Sequence, residues 1–373
     1  MSLLEKIKPN GPKKILALDG GGIRGILSVE VLARIEELLR EKTGGKREFV
    51  LADYFDFFAG TSTGGIIAAC LAWGMTIDRI RNFYLENGKE MFDKASLLDR
   101  YYRNKFQSEK LSARLQAEFG SDTTLGSDKL RTLLLMVMRN ASTDSPWPLS
   151  NNPKAKYNDR TRADCNLDLP LWQLIRASTA APTYFPPEVV KVGVKEFIFV
   201  DGGVTMYNNP AFQTFLMATV EPYNLNWPTG EDKLLVVSVG TGTSPDANAA
   251  LKPNEMNLLY NASSIPSALM FAALNEQDFL CRIFGQCLAG EPLDREVRDM
   301  IGKKGPVSPK LFTYVRYNAE LTREGLDALG LNVVEPANVQ QLDSVEFIGD
   351  LQKVGKAVAE KKVKAEHFQL FLV

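Results

Sequence analysis

The chain has 373 residues, 45% of them hydrophobic and 24% charged, enough to bury a sizeable core in two or three structural units or in one large α/β domain with an appendage, which excludes a disordered chain and a mini-protein scaffold. Its 44 basic and 45 acidic residues leave a formal charge of −1, so no overall basic field exists to draw it onto a nucleic-acid polymer or an anionic membrane. It has one histidine, His367, near the C-terminal end, and four scattered cysteines, Cys70, Cys165, Cys281 and Cys287, without a Cys-x-x-Cys pair; reduced core thiols are expected, and a metal site is not.

Met1 to Lys8 carries no apolar run followed by a small-residue cleavage site, so no signal peptide is expected and cytoplasm is the default compartment. The first strand-like run, Lys14 to Leu18, ends in Asp19-Gly20-Gly21-Gly22-Ile23-Arg24-Gly25 and leads into a helical pattern from about Ile26 to Arg40. There Leu27, Val31, Leu32, Ile35, Leu38 and Leu39 form one apolar stripe, and Thr43-Gly44-Gly45 ends it. A second run, Tyr54 to Ala59, leads through Gly60-Thr61-Ser62-Thr63-Gly64-Gly65 into a buried helix from Ile66 to Trp73. The uncharged stretch Gly64 to Met75 is shorter than the roughly 18–20 residues of a membrane span, which predicts a soluble protein.

Asp78 to Glu90 reads as a surface helix, Lys129 to Arg139 as a buried strand, and the polar, proline-rich Ser142 to Arg162 as a long loop. A short helix follows Leu169-Pro170, ending near Ala180; a strand from Glu196 to Val200 delivers Asp201-Gly202-Gly203, and another from Lys233 to Val239 ends in Gly240-Thr241-Gly242-Thr243. The remainder predicts a long helix from about Pro266 to Cys287, an edge strand at Leu311 to Tyr317 and a final helix from Ser344 to about Val363, with a soft boundary near Ser244. Strands and helices alternate as in an α/β fold, and four strands end in glycine-rich turns, which in an open parallel sheet gather at the functional crevice.

Gly60-x-Ser62-x-Gly64 has the form of a nucleophile elbow, in which a serine at a sharp strand-to-helix turn needs glycines on either side so that backbone can approach closely. A serine hydroxyl needs a base. An imidazole base could only be His367, and the order Ser62, an acid, His367 matches a hydrolase triad, but His367 stands in the charged segment Lys361 to Phe368, where a solvated or capping role is favoured. The alternative base is Asp201, at the end of a strand, which would have to be partly desolvated to become basic enough. Three consecutive glycines before a helix expose N–H groups beside its positive end, suiting an oxyanion or a phosphate. Gly20-x-Gly22-x-x-Gly25 also fits a dinucleotide fingerprint, and a nucleotide-binding module stays open as a rival, with Glu41 or Glu48 as the required acid.

The three motifs Asp19 to Gly25, Gly60 to Gly65 and Asp201 to Gly203, in that order, resemble the patatin-like phospholipase family, supported by Ala177 to Pro187 and Tyr207-Asn208-Asn209-Pro210. The likeness runs over roughly residues 13–245, and the resemblance implies a three-layer α/β/α catalytic domain with a mostly parallel central sheet, carrying a mainly helical C-terminal region, 246–373. It further implies acyl-ester hydrolysis of phospholipids or related lipids through a Ser62–Asp201 dyad, an oxyanion site from Gly20, Gly21, Gly22 and Arg24, and Gly25, Gly60, Gly64 and Gly202 as motif glycines. No catalytic calcium and no cofactor are implied. By analogy with bacterial members switched on by cyclic oligonucleotides, regulation by a ligand is a further alternative. Leu269, Met270, Phe271, Ala272 and Leu274 read as core in preference to a lipid groove; the groove reading would bring transient contact with a membrane surface.

Overall fold

Strands covered on both faces are written as continuous apolar runs, and such runs form the middle of this molecule. The computed structural model describes residues 2–45, 48–92, 100–182, 184–245, 251–252 and 256–372. Among them one nine-stranded sheet is formed by β1 (Lys13–Leu18), β2 (Phe57–Thr61), β3 (Leu133–Asn140), β4 (Ser145–Ser150), β5 (Glu188–Val192), β6 (Lys195–Asp201), β7 (Leu234–Val239), β8 (Gly285–Ala289) and β9 (Phe312–Tyr317). The order is β5-β6-β3-β2-β1-β7-β9-β8, with β4 beside β3. From β3 to β8 all neighbours are parallel, while β4, β5 and β6 join antiparallel.

Along β1 the side chains alternate between two buried layers, Ile15 and Ala17 on one face, Leu16 and Leu18 on the other. The helices, in chain order, are α1 (Leu3–Lys6), α2 (Gly25–Lys42), α3 (Leu51–Tyr54), α4 (Thr63–Trp73), α5 (Ile77–Phe92), α6 (Arg100–Phe119), α7 (Leu171–Ser178), α8 (Ala211–Thr219), α9 (Leu258–Phe284), α10 (Arg323–Ala328), α11 (Pro336–Gln340) and α12 (Ile348–Lys362). Helices α8 and α9 cover the Ile15 face, through residues such as Phe215 and Cys281. The Leu16 face is covered by α2, α4, α5, α7 and α12, through Leu32, Ile67, Ile80, Leu174 and Val354. This is the three-layer α/β/α arrangement. All four cysteines are free and buried.

Two expectations need correction. Ser142 to Arg162 is not a long loop: β4 pairs with β3 from Leu135↔Ser150 to Asn140↔Ser145, and a 3-10 turn follows at Lys156–Asn158. Prolines are compatible with that strand because β4 pairs on one side only, so Pro146 and Pro148 cost no ladder donor. Second, β9 lies between β7 and β8 and is buried along its length, so it is no edge strand; the edge is β8, a segment whose Cys287 the periodicity had assigned to the preceding helix, which ends at Phe284. The region after Ser244 is mainly helical, as expected. It supplies β8 and β9 to the same sheet, and α12 packs on α2 so closely that a Cβ at Gly355 would meet the Leu27 carbonyl. Leu321, Val354 and Phe368 share one buried cluster with Leu16 and Leu32.

Candidate active site

Ser62 directly follows β2 and caps the N-terminus of α4 with φ 54° and ψ −124°, a conformation that costs a non-glycine residue about 1–3 kcal/mol and persists only where the surroundings impose it. The surroundings are close backbone: a Cβ on Gly60 would collide with the Gly64 carbonyl, and one on Gly64 with the carbonyls of Leu18 and Asp19. The Gly-x-Ser-x-Gly spacing thus exists because the turn folds back on itself and against the end of β1. Ser178, the last residue of α7, fastens it from below, accepting the Ser62 N–H at 3.0 Å and donating to the Val137 carbonyl at 2.6 Å.

Strand β3 brings Asp201 to this turn. Its residues 133–137 pair in parallel with β2, and residues 138–140 pair antiparallel with β6. Strand β4 occupies the opposite edge of both stretches, so β2 and β6 share one edge of β3 and run head to head along it. Their carboxyl ends abut where Thr61 pairs with Val137 and Asp201 with Met138. One antiparallel strand in a largely parallel sheet therefore delivers its carboxyl end to the crevice where the parallel strands also end.

The result is a hydrogen bond of 2.5 Å from Ser62 Oγ to Asp201 Oδ2. The Gly203 N–H donates to Asp201 Oδ1 at 2.6 Å, which fixes the plane of the carboxylate. Ser62 and Asp201 are 9% and 4% exposed, so little water solvates the acid. Burial pushes the Asp201 carboxyl up to about 6, against the opposing pull of the Ser62 and Gly203 hydrogen bonds and the Arg176 charge.

The glycine loop lies alongside. Gly20 N–H donates to the Asn208 carbonyl at 3.1 Å, Ile23 N–H to the Leu342 carbonyl at 3.0 Å and Arg24 Nη1 to the Gln340 carbonyl at 3.1 Å. Gly22 has φ +59°, and a Cβ there would strike the Leu342 carbonyl, so the segment after α11 rests directly on the loop. Gly21 and Gly22 are left with N–H groups that have no hydrogen-bond partner among the described residues. Of the four residues grouped as an oxyanion site, Gly20 and Arg24 thus have donors engaged elsewhere: Gly20 ties the loop to the turn after Asp201, and Arg24 clasps the C-terminal region.

His367 is neither solvated nor beside Ser62. It is 7% exposed, its Nδ1 is 2.8 Å from Tyr317 Oη, and it packs with the last helical turns of the chain. The dinucleotide reading also loses its acid, because Glu41 lies in α2, Glu48 before α3, and the strand that follows the loop ends at Thr61. Sequence reasoning did not find the work of Ser178, nor that of Asn208, whose carbonyl holds Gly20 and whose buried Oδ1 lacks a partner beside Gly20 and Gly203. Both stood in stretches singled out for other reasons, with no spacing signal of their own.

The core reading of the first half of α9 holds only for Leu274. Ile265, Leu269 and Phe271 are exposed, Leu269 at 65%, and residues 256–275 contain no charged side chain. Met270 reaches the Asp201 turn, its Cε lying 3.3 Å from where a Gly203 Cβ would be.

A family model described as patatin-like phospholipase matches residues 16–215. Patatin-like protein 1 of Arabidopsis thaliana is 30% identical over 352 residues, which cover 80% of this chain and 81% of that protein. Patatin-T5 of Solanum tuberosum is 26% identical over 74% of this chain and 77% of its own length. A cGAMP-activated phospholipase of Vibrio cholerae is 32% identical over 53% of this chain and 56% of its own.

Proposed function

The chain belongs to the patatin-like phospholipase family and is a lipid acyl hydrolase, and from that premise we propose that it cleaves carboxylic esters through Ser62 and Asp201 by way of an acyl-enzyme. The observation that carries this reading is the 2.5 Å bond between Ser62 Oγ and a buried carboxylate whose affinity for a proton has been raised by burial.

Asp201 Oδ2 accepts the proton as Ser62 Oγ attacks the ester carbonyl carbon. The carbonyl π electrons move onto oxygen, and the Gly21 and Gly22 N–H groups receive the oxyanion, helped by the positive end of α4. Collapse of the tetrahedral intermediate expels the alcohol, which takes the proton from Asp201. Water then repeats both steps on the acyl-enzyme and releases the fatty acid. A carboxylate left at about 3.9 would be a poor acceptor from an alcohol; near 6 it is still ionised at neutral pH and more basic. The Ser62 backbone needs no rearrangement to attack, since its strained turn already presents Oγ to Asp201.

The approach for the lipid is the stretch of α9 that exposes Ile265, Leu269 and Phe271, which reaches from the surface to the Asp201 turn through Met270 and brings transient contact with a membrane surface. No helix among the described residues is long and apolar enough to cross a membrane. Activation by a ligand has one observation in its favour, the similarity to the cGAMP-activated phospholipase; assaying phospholipid hydrolysis with and without a cyclic dinucleotide separates a switched enzyme from a constitutive one.

The test of the dyad is covalent capture. A fluorophosphonate should label Ser62, located by mass spectrometry, and Ser62→Ala should abolish both the label and hydrolysis of a short-chain ester. Full esterase activity in that variant would remove Ser62 from the chemistry.

A further inference from the structure

Asp19 stands between β1 and the Gly20–Gly22 loop, and its carboxylate is gripped by Arg316 of β9. Arg316 Nη1 lies 2.8 Å from Oδ1 and Nη2 2.5 Å from Oδ2, with both side chains 1% exposed. The same Nη1 is 2.7 Å from Ser238 Oγ on β7, and Nε is 3.9 Å from Asp278 Oδ2 on α9. Asp278 is itself held by Tyr314 Oη at 2.9 Å and by Arg282 at 2.8 and 2.7 Å. Arg316 thus joins the glycine loop to strands β7 and β9 and to helix α9.

A buried ion pair is weak evidence for stability, because taking both charges out of water offsets most of their attraction. What a two-pronged guanidinium–carboxylate contact does supply is geometry: it fixes the plane of the carboxylate as well as its position. The neighbouring glycines need geometry from outside, and the Leu342 carbonyl, which accepts the Ile23 N–H and abuts Gly22, supplies part of it. Glycines have the widest choice of backbone conformations, yet donors to an oxyanion must stand within about 0.5 Å of their productive positions. The other contacts on Gly20 are single neutral hydrogen bonds, from its N–H to Asn208 and from Thr241 Oγ1 to its carbonyl at 2.9 Å.

We propose that Arg316, which lies outside the segment matched by the family model, is a positioning residue for ester hydrolysis: its fork on Asp19 holds the Gly21 and Gly22 N–H groups where the oxyanion forms. The proposal rests on the reading that those two amides receive the oxyanion.

The experiment uses the full chain and the variants Arg316→Met and Arg316→Lys. Fluorophosphonate labelling, run to completion, counts competent Ser62 sites, and kcat and KM on a soluble short-chain ester are expressed per labelled site, beside a thermal melt. Both variants should lose about 10- to 100-fold in kcat per labelled site, within the range for a disturbed oxyanion donor. KM should change less than about threefold, and the acid limb of the pH profile should stay in place, because transition-state binding is lost and the Asp201 base is untouched. A lower melting temperature or fewer labelled sites with wild-type kcat per site would show a merely structural pair and overturn the proposal. If Arg316→Met does not fold, Arg316→Lys decides, since it keeps the charge and loses only the fork. A wild-type label at a residue other than Ser62 would overturn the dyad, and this proposal with it.

Discussion

Replacing Asp201 by Asn separates what the carboxylate does for catalysis from what its burial costs the fold. Moving a carboxylic acid from about 3.9 in the unfolded chain to about 6 in the folded one corresponds to about 3 kcal/mol, at 1.36 kcal/mol for each tenfold change in proton affinity. The sign follows from which state holds the proton more tightly. Between about pH 4 and 6 the folded protein keeps the Asp201 proton while the unfolded chain releases it. The stabilisation is therefore complete below pH 4 and is lost as pH rises through 6. Asn cannot ionise, has nearly the same shape, and keeps an acceptor for the Gly203 N–H. Urea unfolding of both proteins from pH 4 to 8 should show the variant gaining up to about 3 kcal/mol on the wild type, most of it before pH 6. Glu36, pushed up to about 7 by its own burial, titrates in both proteins and cancels in the difference. Over the same range wild-type kcat/KM should rise along a limb centred near 6, which reports the free enzyme's base, while Asp201→Asn stays inactive. A stability difference that does not vary with pH, or a limb near 4, would refute the account of how burial makes Asp201 a base.

The lone histidine has a role that can be separated from turnover. His367→Ala should leave kcat and KM within about twofold of wild type and lower stability by about 1–3 kcal/mol in urea melts, through loss of the Tyr317 hydrogen bond and buried packing. Loss of turnover with unchanged stability would revive the triad. At the surface, Leu269→Ser combined with Phe271→Ser should cut hydrolysis of vesicle phospholipid by about tenfold and spare a soluble short-chain ester, with little change in melting temperature because both side chains are exposed. Equal losses on both substrates would show that α9 does not serve lipid entry.

Much of this protein was legible before any coordinates. Local signals mark the elbow, because glycines on either side of a serine at the joint of an apolar run and a helix leave room for backbone to approach closely. The same holds for the parallel strands, whose continuous apolar runs mark burial on both faces. The single histidine, far from any glycine turn, already directed attention from an imidazole to a carboxylate.

What the sequence could not resolve depended on pairing between distant segments. Nothing around Pro146 and Pro148 shows that Leu133 to Asn140 has a free edge for them. Nothing in Phe312 to Tyr317 tells an interior strand from an edge one until β8 is seen beside it. Composition alone narrowed the choice of base to one histidine or a carboxylate, since residue types are local facts. Only the tertiary structure brings two strands head to head on β3, buries Asp201 against Ser62, and sets the fork of Arg316 on Asp19, almost 300 residues away in the chain. Strand register, desolvation and a buried guanidinium fork are properties of segments brought together in space, and no window of sequence contains both sides of them.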